Sequence, residues 1–320
     1  MQVSFVIPLL NNLALTRACV ESLQATLPRG LAHEIILVDD GSTDGTRAWL
    51  QGLSSSNGLA TLAPPFRVVL NERNLGYAVA NNRAVALARG KYLALLNNDL
   101  VLLPRWLDRV LSAHRSLGAR AGLVGNVQRD FRTGAVDHTG IIINRAGKPE
   151  HDRTPPSRLA RIFRPVRRVP AVTGACVLLE RALWEKLGGF DEAYVNGGED
   201  IDLCFRARAA GLVNAVALCS VVRHHISSSI GRKLHDERNS HLLARRWHRE
   251  FVAAADLATR SWCRDYLEQI APDPRLADRV LARRAWLYAH HLRRKPPPEA
   301  VADLEAALAR EFARWEKMFK

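Results

Sequence analysis

The run Tyr92-Leu93-Ala94-Leu95-Leu96 stops abruptly at Asn97-Asn98-Asp99. Five apolar residues without polar alternation make a strand covered on both faces, as in a parallel sheet packed between helices. Residues 3–8, 33–38 and 66–70 have the same character. Helical patterns separate them. Leu15, Cys19, Val20 and Leu23 follow Asn11-Asn12, Trp49 and Leu53 follow Ser42-Thr43, and residues 77–89 lie between Asn74-Leu75-Gly76 and Gly90. Strand and helix alternating at this spacing predict a doubly wound α/β sheet. Pro8 is expected to end the first strand, and Gly90 to close the third helix as its C-cap.

Ligands of open α/β sheets bind beyond the carboxyl ends of the strands. Three strands here end in polar clusters, Asp39-Asp40, Asn71 and Asn97-Asn98-Asp99, which the alternation places on one sheet edge. The Asp99 carboxylate is a hard oxygen donor suited to Mg²⁺ or Mn²⁺. The plainer alternative makes it an N-cap for a helix starting near Pro104. A second acidic cluster, Glu199-Asp200-Ile201-Asp202, follows Gly197-Gly198 and opens a helix with Ile201, Cys204 and Phe205 on one face. Carboxylates in a first turn suit the helix dipole. One held at a helix start after two glycines is also placed to act as a general base. The apolar stretch 213–222 runs into Arg223-His224-His225, where the histidines are either surface residues or a metal ligand.

The 320-residue chain carries 46 Lys and Arg against 32 Asp and Glu, a formal net charge of +14, which favours anionic partners. No nucleic-acid-binding module accompanies that charge, so nucleic acid is not expected as a partner. The five cysteines show no metal-ligand spacing and read as reduced core thiols, which points to the cytosol. No apolar run reaches membrane-span length. Residues 153–168 interleave Arg153, Arg158, Arg161, Arg164, Arg167 and Arg168 with Leu159, Ile162 and Phe163. This is either a solvated loop or a basic amphipathic segment for an anionic membrane surface. From residue 234 the pattern is helical, ending in a stripe of Val301, Leu304, Leu308, Phe312 and Trp315.

An ordered set of motifs carries a family likeness. It comprises Val6-Ile7-Pro8 with Asn11, Val38-Asp39-Asp40-Gly41-Ser42, Asn71 with Asn74-Leu75-Gly76, Ala78 with Asn81-Asn82, and Leu96-Asn97-Asn98-Asp99. Thr173-Gly174-Ala175, Gly188-Gly189-Phe190-Asp191, Glu199-Asp200 and His224 with Ser229 complete it. Over roughly residues 1–250 the chain resembles the family 2 glycosyltransferases, inverting nucleotide-sugar-dependent enzymes of GT-A fold, and most of all their rhamnosyltransferase-type members. The resemblance implies a Rossmann-like, mostly parallel central sheet flanked by helices. The GT-A domain would span 1–231, with a nucleotide-binding half 1–100 and an acceptor-binding half 101–231, followed by a helical region 232–320.

The resemblance also implies roles. Asp40, with Pro8 shaping the pocket, would hold the donor's base or ribose, and Asn74 and Gly76 would lie near the nucleotide. Asn97, Asn98 and Asp99 match the DxD motif, with Asp99 on a divalent metal, Mg²⁺ or Mn²⁺, that bridges the donor diphosphate. Gly174 and Ala175 would line the sugar and acceptor pocket. Asp200 would be the catalytic base and Glu199 its orienting or acceptor-binding neighbour. His224 would be the later metal ligand, with His225 competing for that place, and Ser229 a diphosphate contact. The donor would be dTDP-rhamnose or a UDP-sugar, and the acceptor a cell-surface glycan or lipid-linked saccharide of polysaccharide or O-antigen biosynthesis. The enzyme would be cytoplasmic, peripheral at the inner face of the membrane through residues 153–168. Asn97 departs from the family pattern, because an amide stands where the first acid belongs. A non-catalytic nucleotide-sugar binder or scaffold of the same fold is one alternative. A sugar nucleotidyltransferase is another, but Pro8-Leu9-Leu10-Asn11-Asn12 is not the Gly-rich basic loop it would want after the first strand.

Overall fold

The computed structural model describes residues 1–54, 66–225, 235–272 and 278–319. The four apolar runs form β1 (Val3–Leu9), β2 (His33–Asp39), β3 (Phe66–Leu70) and β4 (Tyr92–Leu96), with α1 (Leu13–Thr26), α2 (Thr46–Ser54) and α3 (Tyr77–Val85) between them. These strands pair in parallel in the order β3-β2-β1-β4, so their carboxyl ends share one edge. Every residue of β1 and β4 is buried, as unalternating apolar runs require.

The chain continues through β5 (Leu100–Leu102), α4 (Trp106–Leu117), β6 (Ala121–Asp130), β7 (Val136–His138), β8 (Ile141–Ile143), β9 (Pro149–His151), α5 (Arg158–Phe163) and β10 (Val166–Arg168). Next come β11 (Cys176–Glu180), α6 (Arg181–Leu187), α7 (Glu199–Ala209) and β12 (Val213–His224). β11 inserts antiparallel between β4 and β6, and β12 pairs parallel to β6. The sheet of ten strands runs β10-β12-β6-β11-β4-β1-β2-β3, with β5 on β12 and β7 on β6. β1, β2, β3, β4, β6 and β12 all point one way, giving a mixed but mainly parallel sheet. A core of Phe5, Leu37, Leu96, Trp106, Leu178 and Val222 packs one of its faces against α1 and α4.

Three local expectations are corrected. Pro8 does not end β1: the ladder to β2 runs on through Leu9↔Asp39. Pairing with β4 stops at Val6, so the proline stands where β1 has a partner on one side only, the placement a missing N–H allows. Gly90 is no C-cap, because α3 ends at Val85 and Leu87 and Ala88 turn in tight i→i−3 bonds to Ala84 O and Val85 O. Gly90 N donates to Ser4 Oγ at 2.8 Å, and a Cβ there would collide with the Ser4 backbone, so glycine is required by close approach to β1. Asp99 is no N-cap either, since β5 follows it and α4 begins only at Trp106.

The chain divides into two compact units, Met1–Ile141 with His151–His235, and Ile142–Glu150 with Asp236–Lys320. The second contains α8 (Asp236–Ala254), α9 (Asp256–Ile270), α10 (Arg279–Ala289) and α11 (Pro298–Met318) together with the β8–β9 turn. Leu308 and Trp315 of the predicted stripe are fully buried there, and Trp315 Nε1 donates to Glu237 Oε2 at 2.6 Å. All five cysteines are free thiols, four of them buried. Among the described residues no helix is long and apolar enough to cross a membrane.

Candidate active site

Asp40 lies one residue past β2, buried, and its carboxylate accepts three hydrogen bonds: Asn71 Nδ2 at 2.8 Å, Leu75 N at 3.0 Å and Gly76 N at 2.9 Å. It therefore shapes the loop after β3. Asn74 Oδ1 also accepts from Gly76 N (2.9 Å), and Gly76 enters α3 with φ +94°, which a side chain would resist. Pro8 is buried beside Val38 on the same sheet edge.

Asn97, Asn98 and Asp99 diverge after β4. Asn97 N donates to Ala175 O at 2.8 Å, while its buried side-chain Oδ1 has no hydrogen-bond partner among the described residues. Asn98 turns away and donates to Thr16 Oγ1 of α1 (2.9 Å), which makes it a tether between sheet and helix. Asp99 is buried, and its Oδ1 stands 3.1 Å from His224 Nε2. β5 brings the two together, because Leu100 is the strand partner of His224. The histidine pair is thereby resolved in geometry. His224 faces Asp99, whereas His225 stacks on Phe131 with ring centroids 3.8 Å apart and meets Asp99 only through its backbone N–H. His224 ends β12 opposite Leu100, while His225 lies past the strand, and the two rings diverge.

Gly174 and Asp200 form the other wall. Gly174 N donates to Asp200 Oδ2 at 2.6 Å, and the other carboxylate oxygen accepts from Ile201 N at 2.8 Å. Asp200 stands in the first turn of α7 after Gly198, whose φ of +98° turns the chain into the helix. Glu199 is buried and accepts from Gly197 N at 2.8 Å, closing that turn. The helix is anchored from behind: Arg206 pairs with Asp202 at 2.7 Å and donates to Gly189 O at 2.7 Å, so the Gly188–Phe190 turn and α7 move together. Ser229 lies outside the described residues.

Tyr77 joins these pieces and was not singled out from sequence. It follows Gly76, its hydroxyl donates to Gly174 O at 2.9 Å, and its N–H is received by Asn196 Oδ1 at 3.1 Å. Burial, then the charges of Glu199 and Asp200, and more weakly that of Asp99, hold its phenol well above the ordinary range. One hydroxyl thus lies within the field of all three acids, while the preceding residue is bonded to Asp40. A lone tyrosine opening a helix and a lone asparagine in a Gly-rich turn carry no pattern that marks them in advance.

A buried carboxylate and a buried imidazole 3.1 Å apart can share a divalent cation, the carboxylate suiting Mg²⁺ or Mn²⁺ and the imidazole favouring a transition metal over Mg²⁺. Among the described residues no group of three or more His, Cys, Asp or Glu side chains is arranged to hold a metal. A cation here would have its remaining positions for water or ligand oxygens, the usual arrangement when phosphates share the coordination.

The profile of "Glycosyl transferase family 2" matches residues 4–188. The chain belongs to that family. It is 31% identical over 295 residues to the uncharacterized protein y4gI of Sinorhizobium fredii, covering 89% of this chain and 30% of the relative. It is 32% identical over 235 residues to the O-antigen biosynthesis protein RfbC of Myxococcus xanthus, covering 71% and 18%. The chain thus spans less than a third of these two relatives. With the N-acetylglucosaminyl-diphospho-decaprenol L-rhamnosyltransferase of Mycobacterium tuberculosis it shares 30% identity over 234 residues, 66% of this chain and 71% of the relative. Among solved structures, GalNAc-T7 with UDP, GalNAc and Mn²⁺ superposes with a TM-score of 0.57 at 20% identity, over 70% of this chain and 44% of that one. TarS of S. aureus gives 0.55 at 13% identity, over 100% and 55%. These likenesses confirm the GT-A fold expected from the motifs.

Proposed function

We propose that this chain transfers a sugar, with inversion, from a nucleoside-diphosphate donor to a hydroxyl of a cell-surface glycan or lipid-linked saccharide. The observation that carries the reading is the meeting of Asp99 with His224 at the strand ends where Asp40 also lies, with Asp200 on α7 joined to them through Gly174 and Tyr77. A divalent cation held by Asp99 and His224 would supply charge stabilisation to the departing diphosphate. The other roles belong to the protein. Asp40 sets the loop from Asn71 to Gly76 against which the nucleoside rests. The Gly174–Ala175 turn, held by Tyr77 and Asn97, forms the floor under the sugar. Asp200 takes the proton from the attacking hydroxyl, held in aim by Gly174 N and seated on α7, while Glu199 fixes the turn before it. A well-placed base contributes about 10²–10⁴-fold.

The donor in this reading is dTDP-rhamnose or a UDP-sugar, and the acceptor is lipid-linked at the inner membrane face. The names of the rhamnosyltransferase and O-antigen relatives support rhamnose and a lipid-diphosphate or O-antigen acceptor. A screen of nucleoside diphosphates and their sugars by thermal shift, with and without Mn²⁺, tests this, because a ligand selective for the folded state raises the melting temperature. A Mn²⁺-dependent rise with one nucleotide is expected. No response to any nucleotide defeats the reading. The amide at Asn97 favours a second reading, a donor-binding protein without turnover. Donor binding with no sugar transfer to any acceptor would select it.

A further inference from the structure

α5 presents its apolar face outward. Ser157 caps it, accepting from Ala160 N at 3.1 Å, and Pro165 follows its end. Leu159, Ile162 and Phe163 stand at i, i+3 and i+4 and so share one side. That side is open to solvent: the three are 66%, 60% and 76% exposed, and α5 has no buried residue. The segment is nonetheless fixed to the sheet. Leu218 N donates to Pro165 O at 2.8 Å, Cys219 Sγ to Arg161 O at 3.3 Å, and β10 pairs with β12. The apolar side chains are therefore held outward by a rigid support.

Cations surround them. Arg158, Arg161, Arg164 and Arg168 are exposed, and no acidic residue occurs from 153 to 179. Arg153 and Arg167 are committed elsewhere, to Asp137 at 3.3 Å and Asp152 at 3.0 Å. A partner for this face must offer apolar depth and anionic groups in one plane, which an anionic lipid bilayer does. We propose that α5 docks the enzyme on such a bilayer, with Leu159, Ile162 and Phe163 entering the headgroup–acyl boundary and the four free arginines meeting lipid phosphates. The docking stands on this surface alone and needs no catalytic assumption. Were the acceptor lipid-linked, it would bring β12, whose far end carries His224 roughly 20 Å from the α5 attachment, toward that acceptor.

The test is sedimentation of the full chain with phosphatidylcholine vesicles, with and without phosphatidylglycerol, in the absence of donor and acceptor. Binding about tenfold or more tighter to the anionic vesicles is expected, weakening as salt is raised. The triple variant Leu159→Ser/Ile162→Ser/Phe163→Ser should lose about tenfold or more of that binding. Its melting temperature and nucleotide response should stay close to the parent, because all three residues are mostly exposed. Arg158→Glu/Arg161→Glu/Arg164→Glu should also lose it. Absence of binding, equal binding to neutral vesicles, or a triple serine variant that binds like the parent would overturn the proposal. Self-association through α5 without vesicle binding would assign the face to a protein contact and also overturn it. An unchanged nucleotide response in the same samples keeps any of these failures separate from the transferase reading.

Discussion

Replacing Gly174 by alanine tests whether the wall of the site is built around Asp200. A Cβ there would lie 3.2 Å from Asp200 Cβ, 3.2 Å from the Tyr77 hydroxyl and 3.5 Å from Asp200 Oδ2. The first two approaches are tighter than ordinary packing, and Gly174 is not among the glycines with positive φ, so the cost is steric. Neither neighbour yields freely: the Tyr77 hydroxyl is bonded to Gly174 O, and Asp200 Cβ sits on the first turn of α7. Relief must come from a shift of a few tenths of an ångström in the carboxylate or the turn. Overpacking of this size costs about 1–3 kcal/mol of stability. A misplacement of 1 Å at a reacting group costs about 10²-fold, so this smaller shift should cost turnover about tenfold. The assay is steady-state release of nucleoside diphosphate, with nucleotide affinity measured by calorimetry. The predicted signature is a lower kcat with donor affinity kept, and a loss smaller than additive when combined with Asp200→Asn. A folded Gly174→Ala protein with unchanged kcat, or one that loses donor affinity alone, would refute this account of the wall.

Tyr77→Phe removes the bond to Gly174 O and should cost about 0.5–1.5 kcal/mol of stability, read from chemical denaturation, with a modest loss of kcat. Asp99→Ala and His224→Ala should each abolish the Mn²⁺-dependent part of nucleotide binding, read by calorimetry with and without the ion, while His225→Ala should leave it intact. His138 is fully buried, and burial together with the nearby His151, Arg167 and His224 holds its imidazole well below the ordinary range against the pull of Asp137. It is therefore neutral when folded and takes up a proton on unfolding, so stability should fall as pH drops below about 6.5, by up to about 1.4 kcal/mol per pH unit. Melting curves between about pH 7.5 and 5.5 should show this slope, reduced in His138→Gln.

The first half of the sheet was legible because β1, β2 and β4 are apolar and buried along nearly their whole length, and such runs declare themselves without a partner. Asp99 was legible as a strand-end acid. Its partner was not, because the choice between His224 and His225 depends on the pairing of β12 with β5, which sets His224 opposite Leu100, a register that no local pattern encodes. Pro8 and Gly90 misled for a related reason. Their chemistry marks an ending, yet here it answers to which neighbouring strand is present and how closely Ser4 approaches. Tyr77 and Asn196 were invisible because their partners, Gly174 and the Tyr77 amide, are distant in sequence. The membership of Ile142–Glu150 in the second unit is likewise tertiary: Lys148 pairs with Glu311 at 2.8 Å, a contact that only the folded chain reveals. In residues 153–168 the sequence showed the interleaving of charge and apolar residues, but not that Leu159, Ile162 and Phe163 face solvent.

Asp200→Asn is the most direct measurement. The amide keeps an oxygen for the Gly174 N–H and nearly the same volume, but it cannot take a proton. Turnover of sugar donor should fall by about 10²–10⁴-fold with nucleotide affinity close to the parent, and the melting temperature should drop modestly because the amide nitrogen cannot accept from Ile201 N. A variant that transfers sugar at near the parental rate would remove Asp200 from the chemistry, and the account of this site with it.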